Sequence, residues 1–244
     1  MKKLLAVILM FLSISPVSFS TDDYVDYTIG ESTITVNYDT SDGVHKVGIE
    51  TSDNLYVYPF NDNSVIVPLQ SGDCAYNVII YENIGETLYK RVYEETIDVV
   101  IKECVFLQPT TMIDYENSNL DQFLEMDIED IHNYMMDNFS YDYSKISTLD
   151  TNYTVAIDEM LNNPNGICMD FSIVFAGIAR NNGIPCKVVY GKTSFYKALH
   201  AWNEVYIDGE WKIIDITLNL EYRNKGYSYD LYQDSYFYDK QQEY

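Results

Sequence analysis

Asn165-Gly166-Ile167-Cys168-Met169-Asp170-Phe171-Ser172-Ile173-Val174-Phe175-Ala176-Gly177-Ile178 follows a turn cluster, Asn162-Asn163-Pro164, and decides how the second half of the chain folds. Ile167, Phe171, Val174, Phe175 and Ile178 recur at offsets of four, seven, eight and eleven, which is one face of a helix. Asn181-Asn182-Gly183 ends the pattern with residues that suit a C-terminal cap. Cys168 therefore falls in the first turn of a buried helix. Unpaired backbone N–H groups and the positive end of the helix dipole favour the thiolate there, and the thiolate is the reactive form of cysteine. A cysteine in such a place is by itself more often a small core residue than a nucleophile, so its neighbours must decide.

Those neighbours lie downstream. Gly183-Ile184-Pro185 is followed by a short strand, Lys187 to Tyr190, and then by two alternating runs, His200 to Ile207 and Glu210 to Thr217. Asp208-Gly209 between them is a two-residue hairpin signal. A two-residue loop sets Ile207 against Glu210, which places Trp202 opposite Asp215 and His200 opposite Thr217. His200 and Asp215 then become diagonal neighbours on one face, about 7–8 Å apart and within reach of an imidazole and a carboxylate. A histidine and an aspartate on one face, with a helix-start cysteine upstream, is the constellation of a thiol nucleophile, its base and the group that orients the base.

The blocks Asn165 to Phe171, Gly183-Ile184-Pro185, His200-Ala201-Trp202-Asn203-Glu204-Val205 and Gly209 to Thr217 resemble, in order and spacing, the core of the transglutaminase-like superfamily. Tyr141-Asp142-Tyr143 is similar to the segment upstream of that core. The resemblance covers about residues 120 to 240 and implies a papain-like α+β fold, with the cysteine on a helix packed against a sheet carrying the histidine and aspartate. It implies Cys168 as nucleophile, His200 as base and Asp215 as orienter, with no metal or other cofactor in the site. The Cys168 backbone N–H would meet the oxyanion together with a second donor, for which Asn162, Asn163 and Tyr141 are candidates. Trp202 either shields the site from water or packs the core. Asp170 reads as a helix-start charge and Cys186 as a buried, inert thiol. The activity implied is acyl transfer or amide hydrolysis through a Cys168 thioester with a protein or peptide carboxamide. Hydrolysis of peptide or cell-wall peptide bonds, and a non-catalytic binding or scaffold module, are the alternatives.

The stretch ahead of the core has a different period. Thr33 to Val36, Leu55 to Tyr58, Ser64 to Val67, Tyr76 to Tyr81 and Thr96 to Ile101 read as short strands. Ser41-Asp42-Gly43, Asn61-Asp62-Asn63, Ser71-Gly72-Asp73 and Gly85 read as the turns between them. This pattern predicts a small all-β sandwich of immunoglobulin-like type over 21–104, with His45 exposed beside a turn. Residues 105–119, with Pro109 and little periodicity, read as a linker. Phe123, Ile128, Ile131, Tyr134 and Met135 then begin the helical period of an α+β catalytic domain over 120–244, with His132 as a non-ligand on that helix. A second helical patch falls at Val155 to Leu161, and the last twenty residues are rich in tyrosine.

Lys2-Lys3, the apolar run Leu4 to Leu12, and Ser18 and Ser20 before the expected cut make residues 1–20 read as a secretory signal peptide, with an uncleaved N-terminal anchor as the alternative. The expected location is secreted or cell-surface, with no membrane association after cleavage. A formal charge of −23 argues against nucleic acid and anionic membrane surfaces as partners. No Asp/Asn ladder has the spacing of an EF-hand calcium loop. The four cysteines, Cys74, Cys104, Cys168 and Cys186, permit several pairings. If Cys168 must stay free, Cys74 with Cys104 is the attractive pair, and an unpaired set fits equally well.

Overall fold

The computed structural model describes residues 25–60, 62–85, 87–149 and 153–244. The expected leader, 1–20, lies outside the described residues. The chain divides into two compact units, one ending at Val105 and one running from Phe106 to Tyr244.

The first unit is the β-sandwich. One antiparallel sheet orders β1 (Asp26–Ile29), β2 (Thr33–Asn37) and β5 (Ser64–Pro68). The other orders β4 (Leu55–Pro59), β3 (His45–Glu50), β6 (Cys74–Gly85) and β7 (Leu88–Val99). Alternation makes the core: Ile34 and Val36 from β2, Val65 and Val67 from β5, Val47 and Ile49 from β3, and Val78 and Ile80 from β6 are all buried. The fourth strand pairs with β3, whereas the constant-type immunoglobulin arrangement keeps it with the first, second and fifth strands.

Strand β3 does not show in the residue pattern, because all but its last residue are buried and polar and apolar side chains mix along it. His45 opens this strand. It is 4% exposed, not solvent-facing, with its ring 5.0 Å from that of Tyr38 and Nδ1 3.2 Å from the Gly43 carbonyl.

The second unit is α+β. Helix α1 (Ile128–Asn138) starts on a capping box in which the Asp127 carboxylate accepts from the Asp130 N–H. Strand β8 (Ser140–Tyr141) runs parallel to β9 (Asn165–Gly166), with α2 (Ile157–Asn162) between them. Helix α3 (Cys168–Asn181) is buried from Asp170 to Arg180, as a helix with apolar residues around most of its circumference must be. It packs on an antiparallel sheet of order β12-β11-β10-β13, made of β10 (Cys186–Thr193), β11 (His200–Ile207), β12 (Glu210–Ile214) and β13 (Tyr238–Glu243). Helix α4 (Ile216–Asn224) and helix α1 pack against α3 and each other.

Of the segment expected to be a linker, 105–119, all but Val105 falls in this second unit. Phe106, Thr110 and Ile113 are buried, and the Arg180 guanidinium donates to the Gln108 carbonyl at 2.8 Å. Isolated anchors of this kind leave no periodic trace, and Pro109 hides them further. No helix among the described residues is long and apolar enough to cross a membrane.

Candidate active site

Three elements bring the site together. The hairpin comes first. Asp208 and Gly209 both have positive φ, 57° and 85°, as a type I′ turn requires, and Ile207 pairs with Glu210. The expected register holds from there to the pair Asn203–Ile214, where the ladder stops. Asp215 is not a strand residue. It is the N-cap of α4, and Thr217 lies on that helix, not opposite His200. The reason is local: the Asp215 Oδ1 accepts the Leu218 N–H at 2.9 Å, a bond that starts a helix and ends a strand. The contact expected between His200 and Asp215 forms all the same, with Nε2 of the ring 2.8 Å from Oδ2 of the carboxylate.

Cys168 is the first residue of α3 and is partly exposed, whereas His200 and Asp215 are buried. With Nε2 taken by Asp215, Nδ1 is the ring nitrogen left for hydrogen bonding with Cys168. Burial works against a charge on the ring. The Asp215 carboxylate outweighs it, Cys168 adds to the effect through hydrogen bonding and charge, and His200 is held at about 10. At neutral pH the ring is therefore held as an imidazolium.

The N-terminus of α3 is fixed by Asp170. Its side chain is fully buried and accepts from the Ile167 N–H at 2.8 Å, the Tyr153 hydroxyl at 2.6 Å and Lys145 Nζ at 2.6 Å. Gly166 permits this close approach: a Cβ there would lie 2.5 Å from Asp170 Oδ2. Asp170 thus does the work of a helix-start charge and also ties Lys145 and Tyr153 to the helix that presents Cys168.

Of the support candidates, the structure brings two to the site. Tyr141 is half-buried on β8, and its phenol is pushed well up, by burial first and then by Cys168, Tyr143, Asp170 and Asp215. Trp202 is 1% exposed, with its ring inclined 23° to that of His200 at 6.4 Å. It packs with Val189, Ile213 and Tyr238, so core packing is among its roles. Asn162 and Asn163 are exposed at the end of α2 and make no hydrogen bond to the triad.

Two tyrosines beside the triad were not singled out from the sequence. The Tyr196 ring lies 4.4 Å from that of His200, and its hydroxyl donates to Glu221 at 2.9 Å. The Tyr238 hydroxyl donates to Asp215 Oδ2 at 3.0 Å. The tyrosine-rich C-terminal stretch was the only trace of the second.

The remaining histidine and cysteines stand apart from this chemistry. His132 is buried and accepts from Asn219 Nδ2 at 2.9 Å, and burial lowers its affinity for a proton. Cys186 is wholly buried, and burial pushes its thiol up to about 12. Cys74 and Cys104 are free thiols, the latter exposed.

Residues 117–216, which include all three members of the candidate triad, match the family model of the transglutaminase-like superfamily core. No curated protein matches the chain. Among solved structures, a TGase is similar over 37% of this chain and 25% of its own, at 26% identity and a TM-score of 0.33. A candidate cysteine protease from Cytophaga hutchinsonii is similar over 83% of this chain and 69% of its own, at 14% identity and a TM-score of 0.43. Calcium-bound LapG of Legionella pneumophila is similar over 40% of this chain and 59% of its own, at 20% identity and a TM-score of 0.33. The aligned stretch thus spans about a quarter of the TGase and under two thirds of LapG. By the family model, the domain built on residues 117–216 belongs to the transglutaminase-like superfamily, whose fold is typical of cysteine enzymes.

Proposed function

We propose that this domain is a cysteine acyltransferase or amidohydrolase that forms a thioester between Cys168 and the carboxamide of a protein or peptide. The observation that carries this reading is the buried His200–Asp215 pair, 2.8 Å apart, with Cys168 at a helix N-terminus acting on the same ring. The Cys168 thiolate attacks the carboxamide carbon, and the negative charge moves to the oxygen. The Cys168 N–H at the start of α3 donates to that oxygen, since the first N–H groups of a helix lack partners within it. Collapse breaks the C–N bond, and the His200 imidazolium gives its proton to the departing ammonia. An amine or water then attacks the thioester carbonyl while neutral His200 takes its proton, and the thiolate leaves. Asp215 holds the ring through Nε2 in both directions.

A lysine amine as acceptor gives an isopeptide bond, and water gives hydrolysis. A cysteine peptidase or amidase acting on peptide or cell-wall peptide bonds uses the same steps with a different leaving amine. Residues 1–20 support a secreted or cell-surface enzyme, and the acidic chain suits a soluble protein with peptide partners and not nucleic acid. Ammonia release from a glutamine peptide, with and without a primary amine, tests the reading. The expected result is turnover in the wild type and none in Cys168→Ala or His200→Ala, with the two losses failing to add. Unchanged turnover in Cys168→Ala would overturn it and leave the binding or scaffold alternative.

A further inference from the structure

We infer that Tyr238, delivered by the C-terminal strand β13, is a positioning residue that shares Asp215 Oδ2 with His200 and sets how firmly the carboxylate holds the imidazolium. This rests on the reading of Cys168, His200 and Asp215 as the working triad. Tyr238 lies beyond the residues that match the family core, 117–216.

The carboxylate of Asp215 has no freedom left. Oδ1 accepts the Leu218 N–H at 2.9 Å, and Oδ2 accepts both His200 Nε2 at 2.8 Å and the Tyr238 hydroxyl at 3.0 Å. Burial, and then Asp215 itself, hold the Tyr238 phenol far above its ordinary range, so it stays a donor at every working pH. Its ring is fixed between Trp202 at 5.0 Å and Phe195 at 5.9 Å. The strand behind it is fixed as well. Tyr238 pairs with Thr193 and Asp239 with Lys192, and Lys240 Nζ donates to Glu204 at 3.0 Å.

The consequence follows from charge. A second donor on Oδ2 stabilises the carboxylate whether or not the ring is charged, and draws density from the oxygen that faces Nε2. Asp215 then favours the imidazolium less than it would alone, and the ring gives up its proton to the leaving amine more easily. The other titratable groups around the pair are Cys168 on α3, Tyr141 on β8, Tyr196 in the β10–β11 connection, and Glu221 and Tyr222 on α4. None of these groups hydrogen-bonds to Oδ2, which takes only His200 and Tyr238 among the described residues.

The test is Tyr238→Phe, which removes one oxygen and keeps the ring. His200 would be titrated by 15N NMR of the imidazole, beside the pH profile of Cys168 alkylation by iodoacetamide. The expected result is an upward move of the His200 titration by roughly half a unit to one unit, matched by the upper limb of alkylation. The melting temperature should change little. Phe195→Leu serves as the packing control, since it loosens the Tyr238 ring and keeps the hydroxyl. It should leave the titration in place. An unmoved titration in Tyr238→Phe, or an equal move in Phe195→Leu, would overturn the assignment. If wild-type alkylation shows no limb that tracks His200, the triad reading itself fails. If the limb is present and Tyr238→Phe leaves it in place, only the role of Tyr238 fails.

Discussion

Asp215→Asn isolates what the carboxylate does to His200. In the native protein the ring is held at about 10, against about 6.5 for an unperturbed imidazole. The gap corresponds to a preference for the charged ring on the order of 5 kcal/mol. Burial opposes that preference, so it comes chiefly from Asp215, with Cys168 adding to it. An asparagine can still cap α4 and still bond the ring, but it carries no charge. Burial then prevails, and the ring should titrate at or below about 6.5. Because the folded value lies above the unfolded one, His200 stabilises the native protein fully below about pH 6.5. That contribution drains away as pH rises through about 10, at about 1.4 kcal/mol per pH unit. Urea unfolding of wild type and Asp215→Asn, repeated from pH 6 to 10, should show a stability difference that shrinks steadily across the window. Cys168 alkylation at pH 7 should slow markedly, because an uncharged ring no longer favours a negative sulfur. A stability difference that is constant with pH, together with an unchanged alkylation rate, would refute the argument that Asp215 acts through the charge on His200.

Three further outcomes are expected. Gly191→Ala would place a Cβ 2.1 Å from the Asp239 carbonyl oxygen and 2.7 Å from the Trp202 ring, and backbone cannot step aside. The cost should be about 1–3 kcal/mol, read as a fall in melting temperature, with faster hydrogen exchange at the amides of β13. Asp170→Ala removes a buried carboxylate from three donors and should destabilise the second unit by about 3–5 kcal/mol in urea unfolding. Brief iodoacetamide treatment of the native protein followed by mass mapping should label Cys104 and Cys168. Cys186, fully buried with its thiol pushed up to about 12, should react only after unfolding.

The parts of the site legible in the sequence are those whose cause is local. Helix α3 follows from a 3.6-residue period over the twelve residues from Ile167 to Ile178, and the hairpin from Asp208-Gly209, whose positive φ angles match a type I′ turn. Register then carries His200 to the right edge by counting alone. What counting missed is where a strand yields to a helix. Ile213-Ile214-Asp215-Ile216-Thr217 alternates well enough for a strand, yet a single capping bond from Leu218 ends it at Ile214. The 105–119 segment and β13 were hidden for another reason. Their residues are held by distant partners: Gln108 by Arg180, and Tyr238 by Asp215 and Trp202. No period marks such a segment, and the tyrosines near the end of the chain gave only a composition. His45 was misread because a polar residue beside a turn looks exposed until the strand that follows it is known to be covered.

The geometry of Asp215 also explains why the third member of the proposed triad is an aspartate and not a glutamate or an asparagine. The residue must end β12 and start α4, and a short side chain that reaches its own helix's third N–H does this, as Oδ1 does with Leu218. The same residue must present a charge to a buried imidazole 2.8 Å away, which an amide cannot do. A longer side chain would carry the charge past the cap position and lose the helix start. One carboxylate meets both demands because its two oxygens are divided between them, Oδ1 for the fold and Oδ2 for His200. Helix α4 is held in turn by Asn219, which is fully buried, donates to His132 and the Asp230 carbonyl, and accepts from Gln233. The position of the Asp215 carboxylate is thus set from both ends. The hairpin brings the chain to Asp215, and the buried Asn219 cluster fixes the helix that leaves it.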